Sequence, residues 1–428
     1  MRKSKRFTAL ALAVGLSVVA AACGSDKAAT TITGGAATTT VAGTPAGGST
    51  IATTGATTGA TTGATTGATT GATTGGSSAA GTGAACEAGK PVVDPVPSLK
   101  ADGAGKTIGL LFDVTGRGDK SFNDGAAAGL DKAKADFKVT GVESTPQATD
   151  GSDRPDRIKQ LSEGPGALTV AVGFLWGAAV TKAAADYPKK DYTIIDSVVS
   201  NPNGTPDNPS DDTPFPNVRN VVFAAEQGSF LVGVAAACAS KTGKVGFIGG
   251  VEIPLIQTFQ AGFQAGVKYV NPKATVEIKY LTQPPDFTGF NDASKGKSTA
   301  AAMYASGIDV IYHAAGGSGK GLFEAAVAAG KPGAVWAIGV DSDQYLTVDP
   351  AQQPYILTSM LKRVDVATYE AIADQLNGKF KAEIRSYDLK SGGVGYSASN
   401  KAIDAYAGTI EKAKAAIIAG TIKVPTTP

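Results

Sequence analysis

From about residue 105 onward, short apolar runs alternate with alanine-rich stretches of helical period. The runs TIGLLFDV, ALTVAVGF, YTIIDSV, NVVFAA, GKVGFIGG, TVEIKYL, IDVIYHAA, AVWAIGVD and YILTSML are too short for buried helices and read as strands. Between them, residues 123–137, 177–186, 228–240, 256–270, 292–306, 321–329 and 364–376 read as helices. This alternation predicts an α/β fold with parallel sheets covered on both faces. The stretch of roughly 320 residues is long enough for two domains, and two smaller sheets suit it better than one large one. A polar, proline-rich loop, Asn201 to Asn217, precedes a break near Phe223 to Gly228, where a fresh series begins. Tyr355 to Lys362 reads as a strand on which the chain returns to its first half. The expected division is therefore residues 105–224 plus about 345–428 in one lobe and 225–344 in the other, with an interlobe cleft between them.

The N-terminal part has a different character. Arg2, Lys3, Lys5 and Arg6 precede an apolar stretch from Phe7 to Ala22, short for a membrane span and ending in small residues, so residues 1–23 read as a secretory signal. Val19-Ala20-Ala21-Ala22-Cys23-Gly24 resembles a bacterial lipobox, which makes Cys23 the expected lipidation site, although Ala20 stands where such motifs usually carry Leu. Residues 24–104 read as a disordered tether. No charge occurs from Ala28 to Cys86, and Gly-Ala-Thr-Thr repeats in register between Gly55 and Gly75, too little apolar surface to offset ordering. Cys86 and Cys238 remain beside Cys23. An exported compartment permits a bridge between them, but the apolar pattern LVGVAAACAS around Cys238 favours a buried free thiol. With one His and no cysteine pair at ligand spacing, no metal site is expected, and a net charge of +2 gives no reason to expect nucleic acid.

Polar groups recur where the apolar runs stop. Ile108 to Phe112 leads into Asp113, then a loop with Gly116 and Gly118, then Ser121, Phe122 and Asn123 at a helix start that Ser121 is placed to cap. Ile194-Ile195 leads into Asp196, His313 into Ala314 to Gly319, and Val340 into Asp341, Ser342 and Asp343. One carboxylate after a strand is an ordinary turn residue; several along one edge mark the rim where open α/β sheets bind ligands. GGSGKG at 316–321 lacks P-loop spacing, so Gly316 and Gly317 read as letting backbone approach a ligand. His313, with no acid partner or nucleophile in view, reads as a satisfied buried histidine. Phe122 has a polar neighbour on each side at a helix start, and Phe290 in FTGFNDASKGK repeats the setting. Two such rings facing across a cleft suit a flat, hydrogen-bonding ligand. A hydrophobic staple is the structural alternative for Phe122.

These motifs resemble the basic membrane protein family of bacterial lipoproteins, which includes purine nucleoside receptors of ABC transporters. The resemblance runs through DVTGRGDKSFND, AAEQGSFLVGVAA, GKVGFIGGVEIPLIQTFQAGFQAGV, IYHAAGGSGKGLFEAA, AIGVDSDQ and TSMLKRVD, in the family's order. It implies a type I periplasmic-binding-protein fold, two Rossmann-like lobes closing on a nucleoside. By motif, Phe122 and Phe290 stack on the base, and Asn123 and Asp196 bond its polar edge. Asp113 and Ser121 line the pocket, Asp341 takes the ribose hydroxyls with Lys362 in support, and Gly316 offers backbone. Lys362 comes from the resemblance alone; on residues alone it reads as a surface lysine. Arg117 and Gly118 depart from the usual smaller or acidic loop residues, and the Asn201 to Asn217 loop is longer than usual.

The implied role is that of an extracytoplasmic, lipid-anchored substrate-binding protein at the cell membrane. It captures a nucleoside as a monomer for ABC permease and ATPase subunits, with no cofactor and no catalysis. Two alternatives stand beside it: an exported nucleoside hydrolase using Asp341 and Asp343, and a ligand-binding surface sensor.

Overall fold

The computed structural model describes residues 86–148, 150–205 and 209–428. The signal, the Cys23 motif and the repeat-rich part of the tether lie outside the described residues. The first sheet is built from β1 (Thr107–Leu111), β2 (Thr140–Ser144), β3 (Leu168–Val172), β4 (Asp191–Ile195) and β5 (Val218–Phe223). The second is built from β6 (Lys244–Val251), β7 (Thr275–Thr282), β8 (Val310–Ala314), β9 (Trp336–Asp341) and β10 (Ile356–Lys362). Two late strands complete them, β11 (Ile384–Tyr387) beside β5 and β12 (Val394–Tyr396) beside β10. The orders are β11-β5-β4-β3-β1-β2 and β12-β10-β9-β8-β6-β7. Each position in one sheet thus has its counterpart in the other, and all pairings are parallel except β12 on β10.

Alternation along each strand explains why both faces are covered. Ile108, Leu110 and Phe112 pack with α1 (Phe122–Phe137) and α8 (Val364–Leu376), whereas Leu111 joins the opposite cluster. That opposite cluster is filled from α2 (Arg154–Glu163) and α3 (Gly177–Asp186). In the second lobe Val310, Tyr312 and Ala314 face α4 (Ala225–Ala239) and α5 (Pro254–Val270). Ile311 faces α6 (Ala293–Ala305) and α7 (Gly319–Ala329). Each such aliphatic side chain contributes roughly 1.5–3 kcal/mol on burial, which fixes the strand register in both lobes. Phe137 at the end of α1 stacks on Tyr369 of α8 with ring centroids 4.8 Å apart.

The structure corrects three expectations about organisation. Tyr355–Lys362 does not return to the first lobe: β10 pairs with β9 in the second sheet, and the return comes just after it, at Arg363, where α8 begins. The segment after residue 345 is therefore divided, with α8 and β11 in the first lobe and β10, β12 and α9 (Ala407–Ile418) in the second. Residues 86–104 are not tether but a strap held along the body. Glu87 pairs with Lys412 of α9, Val92 N donates to Glu411, Arg363 donates to the Asp94 carbonyl, and Leu99 N donates to Tyr369 of α8. The strap bonds largely through polar and backbone groups, so no apolar run announced it. Third, Cys238 is not a free thiol: it is bonded to Cys86 at the start of the strap.

Candidate functional site

The carboxyl ends of both sheets face one cleft holding about 610 Å³ of space free of atoms, part of it open to solvent. Asp113, Phe122, Asn123 and Asp196 line it from the first lobe, and Phe290, Gly316, Asp341 and Lys362 from the second. Val114, Thr115, Asp119, Gly173 and Phe174 extend the first wall, and Leu255, Ile256 and Phe259 of α5 the second.

Ser121 is the expected site residue that the cleft lining lacks. It is fully buried, and its hydroxyl donates across the lobes to Asp341 Oδ2 at 2.5 Å. Nor does its side chain cap α1. Asp119 does that, accepting from the amides of Ser121, Asn123 and Asp124 at 2.9, 2.8 and 3.1 Å. A carboxylate at a helix N-terminus is favoured by the orphan amides and the helix dipole. Asn123 is tied into the same loop, its Oδ1 accepting from Asp113 N at 2.8 Å and its Nδ2 donating to Thr115 and Asp119. The side-chain amide is thus committed to shaping the loop. Arg117 turns away from the cleft and forks onto Asp131 and Glu143, at 2.9 and 2.6 Å.

Asp196 and Asp341 end equivalent strands in the two lobes, and both adopt positive φ, 62° and 64°. An aspartate tolerates this region better than most residues. Asp196 pairs with Lys362, whose side chain is 3% exposed. The surface position read for Lys362 from the residues alone is therefore wrong. Rings from three separate elements enclose it: the ammonium lies 4.6 Å from the centroid of Phe122, 5.2 Å from Phe223 and 5.5 Å from Phe259. Cation–π attraction in a desolvated cage helps replace the water the lysine loses.

Two carboxylate oxygens of cleft-lining residues have no donor among the described residues. Asp113 Oδ1 accepts from Val114 N at 2.9 Å, leaving Oδ2. Asp341 spends Oδ2 on Ser121, leaving Oδ1. Burial pushes both acids up to about 6. Arg154 and the Val114 amide oppose the rise at Asp113, and Lys362 and Ser121 oppose it at Asp341. Such acceptors are costly to keep unpaired. A ligand with N–H or O–H groups relieves that cost.

Two glycines make room for these groups. At Gly173, with φ 102°, an added Cβ would lie 2.3 Å from Asp113 Oδ2; at Gly250 it would lie 2.5 Å from the Phe290 ring. Direct contacts hold the lobes together around the cleft. Gln344 Nε2 donates to the Lys120 carbonyl at 2.9 Å, Ser342 Oγ to the Ser121 carbonyl at 2.9 Å, and Phe174 meets Phe287 edge-on at 5.9 Å. Gln344 Oε1 accepts from Val340 N and from His313 Nε2 at 2.8 and 2.9 Å. His313 is buried and its pKa is lowered to about 4 by that burial, but it is bonded at one nitrogen only among the described residues. Asp343 accepts from Ser399 at 2.6 Å and is not among the residues that line the cleft.

Sequence reading missed Asp119, Phe174, Phe259 and Arg154, and it noted Gln344 only as one of the polar residues after a strand end. Phe174 follows the end of β3 by two residues, but its neighbours Gly173 and Leu175 are not polar, so the setting that marked Phe122 does not mark it. Phe259 reads as an ordinary core position of α5, and nothing marks it.

Two matched α/β lobes closed over a polar-and-aromatic cleft, with crossings at Phe223–Ala225, Lys362–Val364 and Tyr387–Val394, define a solute-binding protein of the type I periplasmic class. The fold is similar to the crystal structure of an ABC transporter solute-binding protein from Aeropyrum pernix K1, with TM-score 0.63 and 32% identity over 75% of this chain and 93% of that one. Residues 106–428 match the Bmp family, described as ABC transporter substrate-binding protein PnrA-like, and the chain belongs to that family. It is 35% identical over 329 residues to the ABC transporter nucleoside-binding protein BmpA of Lactococcus lactis subsp. cremoris (strain MG1363), covering 74% of this chain and 88% of the relative. To basic membrane protein A of Borreliella burgdorferi it is 34% identical over 300 residues, covering 69% and 80%. The protein is thus an extracytoplasmic substrate-binding component that works with permease and ATPase subunits, and not an enzyme.

Proposed function

We propose that this protein captures purine nucleosides between its lobes and delivers them to an ABC permease for import. The observation that carries the reading is the cleft itself, where two phenyl rings from opposite lobes stand among acceptors that lack donors. A nucleoside matches this with a flat base and a diol. In this reading Phe122 and Phe290 stack on the base, Asp113 and Asp196 meet its polar edge, and Gly316 gives backbone contact. Asp341, backed by Ser121 and Lys362, takes the ribose hydroxyls, while Asn123 holds the loop that carries Asp113. The name of the Lactococcus relative supports the same ligand class.

The wall also argues against phosphorylated ligands. Asp113, Asp119, Asp196 and Asp341 outnumber Lys362, which Asp196 already engages. A phosphate entering this field meets like charge at short range. We propose further that Cys23 is acylated after signal removal, anchoring the protein as a monomer. Electrophoretic mobility with and without signal-peptidase inhibition tests the anchor. The ligand is tested by thermal unfolding with inosine, guanosine, adenosine, their 5′-monophosphates and free ribose. Nucleosides raise the midpoint and the others do not; no rise with any nucleoside would defeat the reading.

A further inference from the structure

Behind the cleft wall lies a buried cation that the binding reading does not use. Arg154 opens α2, is 7% exposed, and is absent from the cleft lining. Its Nη2 stands 3.7 Å from Asp113 Oδ1, the one ion pair the guanidinium makes among the described residues, and its Nε has no acceptor among them. The guanidinium lies over Trp176 at 5.8 Å, and the indole donates to the Phe112 carbonyl at 3.0 Å. The platform under the arginine is therefore fastened to the strand end that presents Asp113. Room for the arginine depends on Gly151, with φ 72°, where a Cβ would lie 1.5 Å from Arg154 Nη1.

We infer that Arg154 is a positioning residue that keeps Asp113 an ionised acceptor, so that the cleft selects ligands offering an N–H or O–H donor to Asp113 Oδ2. The guanidinium and the Val114 amide both engage Oδ1, which leaves Oδ2, the oxygen against Gly173 of the cleft wall, free for a ligand donor. The charges that face Asp113 are Arg154 from α2, Asp119 from the loop before α1, and Asp196 from the end of β4, itself paired with Lys362. Both carboxylates and burial favour the neutral acid; Arg154 is the largest opposing influence. Without it, Asp113 would become a neutral acid at neutral pH, offering a proton where the ligand also offers one. The inference deepens the nucleoside reading and rests on it, because hypoxanthine and guanine present such an N–H at their polar edge.

The test is inosine affinity of the full protein from pH 5 to 8, for wild type, Arg154→Met, Arg154→Gln and Arg154→Lys. Affinity of the wild type falls as pH drops through about 6, where Asp113 gains its proton; Asp341 titrates in the same range and contributes alike to every variant. R154M and R154Q shift the fall upward by about one pH unit or more, so their loss of about tenfold near pH 6 shrinks toward pH 8. R154K keeps the wild-type profile. A carboxyl carbon-13 titration of Asp113 without ligand gives the second readout, with a higher midpoint in R154M and R154Q. A loss independent of pH, or an unmoved Asp113 midpoint, overturns the inference. If the wild type binds no nucleoside, the functional reading fails while the carboxyl titration still decides the role of Arg154. Should R154M not fold, R154Q and R154K carry the comparison.

Discussion

Replacing Asp341 by Asn separates stability from function at one atom. The native acid is buried, bonded to Ser121 and raised to about 6 from an ordinary 3.8. A raised carboxyl pKa destabilises the fold once the group ionises. The penalty is absent below the unfolded value, grows as pH rises from 3.8 to about 6, and is constant above that. At about 1.4 kcal/mol per unit, it comes to about 3 kcal/mol at pH 7. Asn removes the charge, keeps the shape and tolerates the positive φ. Exchanging the charge-assisted bond from Ser121 for a neutral one costs about 1 kcal/mol. The ligand-free variant is therefore expected to be more stable by about 2 kcal/mol at pH 7, an increase near 3 °C at roughly 2 cal/mol/K per residue. At pH 4 the gain disappears. Binding moves the opposite way: losing a charged acceptor costs about 1.5–3 kcal/mol, roughly 10- to 150-fold in Kd. Thermal unfolding at pH 4 and pH 7, with calorimetric titration of inosine, measures both. Destabilisation at pH 7 equal to that at pH 4, or wild-type affinity, would refute this account of Asp341.

Phe290→Ala should weaken nucleoside binding by about 1–3 kcal/mol with little change in the far-ultraviolet spectrum, since the ring is only partly buried in the lobe; calorimetric titration and circular dichroism check the pair. Phe122→Ala should cost more than stacking alone, because it also opens the cage around Lys362, and the excess should vanish in a Lys362→Met background. Cys86→Ser should lower stability by about 2–5 kcal/mol, because the bridge closes a loop spanning 152 residues. Chemical denaturation reads that loss, and inosine affinity should change less than twofold, since the bridge lies away from the cleft.

Most strands legible in the sequence were those buried on both faces; β7, TVEIKYLT, is an edge strand that its β-branched and aromatic residues still declare. Runs such as LTVAV carry enough apolar residues to declare themselves, whereas β2, TGVES, is an edge strand with exposed positions and reads as loop. The polar α2, RPDRIKQLSE, was missed for the same reason, and Arg154 with it. Site residues at strand ends were readable because the transition from apolar run to Asp is local. Lys362 was not, because its cage is assembled from Phe122, Phe223 and Phe259, which are far apart in the chain. Ser121 was expected to line the pocket and cap the helix, and it does neither. Asp119, two residues earlier, reaches more amides and takes the cap, which frees the serine hydroxyl for the opposite lobe.

A crystal structure of the protein with inosine tests the nucleoside reading most directly. The account expects the base between Phe122 and Phe290, the ribose hydroxyls on Asp341, and a donor within hydrogen-bond distance of Asp113 Oδ2. A cleft that stays empty at saturating inosine, or a base seated away from both rings, would contradict it.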